Sequence, residues 1–222
     1  MGVIITIDGL DGSGKATQAS KLKQWLEQEG VQTKLISFPD YSSDSSALVK
    51  MYLRGDFGED PFKVNPYAAS TFYAIDRYAQ YKLDWESYYN NGGIIIADRY
   101  ISANIIHQGC KIPKKQRLHF YKWVYDYEVR KLGLPKEKLT ILLEVEPEVS
   151  MQLIRERNKG NSNNDIHETN LEYLEACYEN AIYAANNLGW YRINCVDGGK
   201  MRSVNDILEN IKSIVRTVSG II

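Results

Sequence analysis

The sequence predicts an α/β fold: a five-stranded parallel sheet with helices on both faces. Three observations predict it. Five short apolar runs are continuous and β-branched rather than alternating, as strands covered on both faces are. Helical patterns lie between them, so strand and helix alternate along the chain. The composition is that of an ordinary globular chain: 222 residues, 44% hydrophobic and 25% charged, enough to enclose one sizeable core.

The elements follow in order. The run VIITI (Val3 to Ile7) is the first strand. Residues 16–29 place Ala19, Leu22, Trp25 and Leu26 on one helical face, and Gly30 can end that helix. KLISF (Lys34 to Phe38) is the second strand. Pro66 can open a long helix carrying Phe72, Ile75 and Ala79. GIIIA (Gly93 to Ala97) is the third strand, and residues 115–131 carry Leu118, Trp123 and Val124 at helical spacing. LTILLEV (Leu139 to Val145) is the fourth strand, after which Pro147 can open a helix with Met151 and Ile154. A further helix runs from about Leu171 to Leu188, and WYRINCV (Trp190 to Val196) is the fifth strand. The last helix carries Val204, Ile207, Leu208, Ile211 and Val215. No internal repeat or interdomain linker interrupts the pattern, so one domain over 1–222 is expected.

The bulk numbers narrow the function classes. Net charge is −1, which argues against a nucleic-acid surface or a basic membrane face. No apolar run is long enough to span a bilayer, and MGVIITIDGL has neither the basic region nor the cleavage site of a signal peptide. Cys110, Cys177 and Cys195 are odd in number and widely spaced, so free thiols in a cytoplasmic protein are expected.

Ligands of an open parallel sheet bind beyond the carboxyl ends of its strands. Three unusual polar stretches lie there. Gly9 to Thr17, GLDGSGKAT, follows the first strand. Its glycines at 9, 12 and 14 permit a tight turn that aims backbone N–H groups inward, and the following helix adds a positive dipole end. Lys15 supplies the loop's only full positive charge. The whole stretch (Gly9, Leu10, Asp11, Gly12, Ser13, Gly14, Lys15, Ala16 and Thr17) fits the phosphate-loop pattern G-x-x-x-x-G-K-[ST] except at Ala16, where the pattern puts a magnesium-binding hydroxyl. Thr17 points about 100° away along the helix and does not replace it directly. Phe38-Pro39-Asp40-Tyr41 follows the second strand. Asp98-Arg99-Tyr100 follows the third: Asp98 can hold magnesium through water, and Arg99 can fork onto a phosphate. Two further groups join them. Tyr73 and Arg77 lie four apart on one helical face and suit a flat heterocycle, although an arginine snorkelling over a core tyrosine has the same spacing. Arg155, Arg157 and Lys159 begin an Asn- and Gly-rich stretch that can fold over phosphate or be a solvated loop.

Together these residues resemble the thymidylate kinase family of phosphate-loop nucleoside monophosphate kinases. The loop is similar to that family's G-x-D-G-x-G-K-x-T-Q, Phe38-Pro39 to its FP motif and YAIDR (Tyr73 to Arg77) to its aromatic-x-x-D-R segment. Asp98-Arg99-Tyr100 with Gln108 is similar to its D-R-Y…Q signature, and residues 155–168 stand where it has its LID. The resemblance spans the chain in order. It implies transfer of the γ-phosphoryl group of ATP to dTMP with magnesium, in a cytoplasmic homodimer. It implies that Asp11 contacts the deoxyribose 3′-hydroxyl, Arg99 the dTMP phosphate, Tyr73 and Arg77 the thymine face and edge, and that Phe38, Pro39, Asn104 and Gln108 line the same pocket. Lys15, Arg155 and Arg157 then serve the ATP phosphates. One branch of the family carries an arginine in the loop; here that slot is Gly12, so the LID arginines take the task, as in the bacterial branch. Tyr41, Ala103 and His107 depart from the usual residues. Two alternatives stay open: a related kinase with a shifted acceptor, dUMP or a deoxynucleoside, and a nucleotide-binding regulator that has lost catalysis.

Overall fold

The computed structural model describes residues 1–157 and 170–218. The five apolar runs form one parallel sheet of strands β1 (Val3–Gly9), β2 (Thr33–Ser37), β3 (Ile94–Asp98), β4 (Leu139–Glu144) and β5 (Tyr191–Asn194), in the order β2-β3-β1-β4-β5. Strand alternation sorts the side chains to two faces. Ile5, Ile7, Ile96, Ile141 and Leu143 pack with Leu22 and Leu26 of α1 (Lys15–Gln28) and with Ile207, Ile211 and Val215 of α9 (Val204–Thr217). Ile4, Ile95, Ala97 and Leu142 pack on the opposite side with Ile101 and Ile105 of α5 (Ile101–Gly109), Phe120 and Val124 of α6 (Arg117–Tyr125), and Tyr173, Cys177 and Ala181 of α8 (Leu171–Leu188). A smaller cluster around Val49, Tyr52 and Leu53 joins α2 (Ala47–Leu53) to α3 (Pro66–Gln80). The other α-helices among the described residues are α4 (Glu86–Asn90) and α7 (Pro147–Arg157).

Several expectations needed correction. The last strand breaks at Cys195, and Val196–Asp197 (β6) instead pairs antiparallel with Lys200–Met201 (β7). Residues 115–131 are a short helical turn, then α6, then a widened turn over Asp126–Lys131. The third helix buries Ala74, Asp76 and Arg77, while Ile75 is 43% exposed. Its inward face is polar because it lines the site. The same reason hid α5: Ser102, Asn104, His107 and Gln108 are all buried, so its polar residues do not mark an outer face.

The strand order turns back beside β1, and β3 runs next to it with Ile7 opposite Asp98. The loop after β1 and the corner after β3 therefore emerge side by side at one end of the sheet, the position where open sheets bind ligands.

Candidate active site

The loop after β1 folds as its glycines require. Gly12 (φ 77°) and Gly14 (φ 83°) lie in the left-handed region, and Gly14 caps α1. At Gly12 a Cβ would also sit 2.9 Å from the Ser150 carbonyl oxygen of α7. The Ser150 hydroxyl donates to the Asp11 carbonyl, so α7 is fastened onto the loop. Lys15 opens the helix with its ammonium turned back, donating to the Leu10 carbonyl at 2.6 Å. Burial, with the Arg99 charge adding to it, lowers its pKa to about 8. Asp11, Gly12, Gly14, Lys15, Ala16 and Thr17 line a cleft of about 880 Å³, whereas Gly9, Leu10 and Ser13 are buried behind it and shape the turn. The Ser13 N–H donates to the Leu10 carbonyl at 3.2 Å.

Arg99 is held at φ 67° at the end of β3 and collects three partners. Nη2 donates to Asp11 Oδ1 at 2.5 Å, and Nη1 lies 2.7 Å from His107 Nε2 and 3.5 Å from Asp8 Oδ1. Asp8 is buried, accepting from the Gly9 N–H at 2.8 Å and the Ser102 hydroxyl at 2.6 Å. Asp98 is half-buried, with Oδ1 turned inward. Burial pushes its carboxyl up, against the pull of Lys15 and Arg99, and Oδ1 has no hydrogen-bond partner among the described residues. An unpartnered buried carboxylate oxygen beside a phosphate loop is suited to a hard cation, so the donor set fits magnesium.

A side pocket opens next to the cleft, and it gathers residues from six separate stretches, Leu53 of α2 among them. Phe38, Pro39 and Tyr41 come from the loop after β2, Tyr73 and Arg77 from α3, and Ala103, Asn104, His107 and Gln108 from α5, with Asp11 and Arg99 at the junction. All the residues expected to hold the acceptor nucleotide are brought together here. Arg77 does not snorkel: Glu128 takes Nε and Nη2 in a buried fork. The Gln108 side chain is fully buried, and both its amide atoms lack partners among the described residues. Asp76 holds the loop after β2 by accepting from the Asp40 N–H at 3.1 Å and the Ser45 hydroxyl at 2.6 Å.

Arg155 is exposed on α7 and lines neither cavity. The Arg157 side chain, Lys159 and the rest of the expected LID to residue 168 lie outside the described residues. Sequence reasoning missed Asp8, Glu128, Lys50 and Arg54. The last two come from α2 and its end and line the cleft. Lys50 donates to the Tyr41 carbonyl at 3.2 Å. Asp8 carried a readable signal, a carboxylate within an otherwise apolar strand run, which requires a buried partner.

Comparison with known proteins agrees with this geometry. The family model described as thymidylate kinase matches residues 7–207. A thymidylate kinase of Mycobacterium tuberculosis is 29% identical over 164 residues, 73% of each chain. A probable thymidylate kinase of Pyrobaculum aerophilum is 30% identical over 154 residues, 69% of this chain and 70% of its own. Probable thymidylate kinase 1 of Saccharolobus solfataricus is 27% identical over 213 residues, 96% of each. Among solved structures, the thymidylate kinase of Candida albicans superposes with a TM-score of 0.71 at 23% identity, covering 100% of this chain and 94% of that one. With the family match running through the phosphate loop, the Asp98-Arg99 corner and both helices of the side pocket, the chain belongs to the thymidylate kinase family.

Proposed function

We propose that this member of the thymidylate kinase family, which phosphorylates dTMP to dTDP with ATP, divides the substrates between the two parts of its cavity. The phosphate loop holds ATP through its backbone N–H groups and Lys15. The side pocket holds dTMP: Tyr73 stacks on thymine, Arg77, Asn104 and Gln108 meet its polar edge, Asp11 takes the 3′-hydroxyl and Arg99 the phosphate. The observation that carries this assignment is Gln108, a buried amide on the pocket wall with donor and acceptor both unpartnered. Buried polar groups are rarely left so, and a base edge satisfies both.

In the reaction an oxygen of the acceptor phosphate attacks the γ-phosphorus, and the bond to the β–γ bridging oxygen breaks, leaving ADP. Phosphoryl transfer of this kind is largely positioning and charge stabilisation. Arg99 orients the attacking phosphate, and Lys15 balances charge on the outer ATP phosphates. Arg155, exposed on α7, is available to the same phosphates once ATP is bound. Magnesium, when bound with ATP, supplies further charge neutralisation, and Asp98 is the residue that would hold it.

The whole chain, 1–222, acts as one kinase domain and as a homodimer. Ile75 and Tyr78, 43% and 38% exposed on the outer face of α3, support a second copy docking there. No helix among the described residues is long and apolar enough to cross a membrane. Titration of both nucleotides into Arg77→Ala tests the site assignment. Weaker dTMP binding with unchanged ATP binding is expected; the reverse pattern overturns it.

A further inference from the structure

His107 lines the side pocket beside Arg99 and has no part in the roles assigned above. Its ring nitrogens have different partners. Nε2 lies 2.7 Å from Nη1 of Arg99, and Nδ1 lies 3.6 Å from Sγ of Cys177. A guanidinium can only donate, so Nε2 accepts and the ring proton sits on Nδ1. That proton is directed at the Cys177 sulfur. Cys177 in turn donates to Sγ of Cys110 at 3.5 Å, and Cys110 donates to the His107 carbonyl at 3.3 Å. Every donor in this closed chain finds an acceptor, with no conflict of direction. Both thiols are free and buried. Burial pushes the Cys177 thiol up, so it keeps the proton it donates. Tyr173 of α8 adds a hydrogen bond of 2.7 Å to the same His107 carbonyl.

We propose that His107 is a positioning residue for the acceptor phosphate: it holds the Arg99 guanidinium in place through Nε2, with its tautomer set by the buried Cys177–Cys110 thiol pair. Asp11 fixes the other end of the guanidinium at Nη2. The arginine is thus held at both ends before a phosphate arrives, and the remaining N–H groups are presented without a rotamer search. Through this chain α8 takes part in phosphate recognition without lining either cavity.

The proposal rests on Arg99 as the phosphate ligand, so the test separates the two. Affinities for dTMP and for thymidine, which lacks the phosphate, are measured on His107→Phe, His107→Gln, Arg99→Ala and the Phe/Ala double variant. His107→Phe is expected to weaken dTMP roughly tenfold, the scale of one lost hydrogen bond to a charged group, while thymidine affinity holds. His107→Gln, which keeps an acceptor, recovers most of the loss. In the Arg99→Ala background His107→Phe adds nothing. Equal losses for dTMP and thymidine mean that the ring merely shapes the pocket, and overturn the proposal. Arg99→Ala with an unchanged dTMP-to-thymidine ratio overturns the Arg99 assignment and this proposal with it. Nitrogen NMR of the wild-type protein provides a reading free of folding artefacts. A His107 proton on Nδ1 and a bare Nε2 are expected; a proton on Nε2 sinks the idea.

Discussion

The Arg77 guanidinium and the Glu128 carboxylate meet in two parallel hydrogen bonds of 2.7 Å, Nε to Oε2 and Nη2 to Oε1, with both side chains buried. Asn104 Nδ2 donates to the same Oε1 at 2.8 Å. Glu128 therefore orients two residues of the side pocket without lining it. Removing one partner of a buried pair leaves an uncompensated charge and costs about 3–5 kcal/mol. Glu128→Ala is predicted to lower unfolding free energy by that amount in urea and to weaken dTMP binding, leaving ATP binding near wild type. Removing Arg77 as well should recover part of the stability, because the stranded charge is gone.

Lys15 gives a prediction about protons. Its pKa in the nucleotide-free protein is about 8, lowered first by burial and then by Arg99. Triphosphate beside the ammonium favours its charged form, so the bound pKa is higher than the free one. ATP binding near pH 8.5 should then take up protons, and ATP affinity should fall as pH rises through the free value. Calorimetry in buffers of different ionisation enthalpy counts the protons. Lys15→Ala should abolish the uptake and cut turnover more than tenfold, a barrier increase above ~1.4 kcal/mol.

At Gly12 the backbone conformation and the space agree. The residue has φ 77°, and a Cβ would meet the Ser150 carbonyl at 2.9 Å. Gly12→Ala should force α7 off the loop or the loop out of shape, at a strain of roughly 1–3 kcal/mol. ATP affinity should drop, and Gly12→Arg should do no better despite its charge. Wild-type affinity in Gly12→Arg would mean that the loop accommodates a side chain here and the packing argument is wrong.

Ala16 is the one position where the loop departs from the phosphate-binding pattern. Its methyl cannot coordinate, so magnesium should be held less tightly than a hydroxyl at this place would allow. Ala16→Thr is predicted to lower the free magnesium needed for half-maximal rate at saturating ATP. It should also tighten manganese binding to the ATP complex, read by electron paramagnetic resonance. Identical curves for both proteins would show that the metal is not governed from this position.

Much of this architecture was legible in the sequence because its signals are local. The buried strands are apolar runs, and the phosphate loop is a fixed spacing of glycines and one lysine. Tyr73 and Arg77 were singled out by their helical spacing, Gln108 only by the family resemblance, which gave all three an acceptor role; all of them line the side pocket. What escaped was non-local. Glu128 stands 51 positions from the arginine it holds, and no spacing rule links them. The polar face of α5 is buried, so the contrast that marks an amphipathic helix is reversed where the helix meets the site. His107 stood out only as a departure from the family's usual aromatic, and its role escaped because its partners, Arg99 and Cys177, come from other elements.

In the proposed function the cleft and side pocket together carry out phosphoryl transfer from ATP to dTMP. A coupled assay of ADP formation, with dTMP, dUMP and thymidine offered in parallel at fixed free magnesium and ATP binding titrated on the same preparation, tests it most directly. The expected result is dTMP-dependent ADP release that collapses in Lys15→Ala. Tight ATP binding with no transfer to dTMP, or transfer to another acceptor in its place, would contradict it.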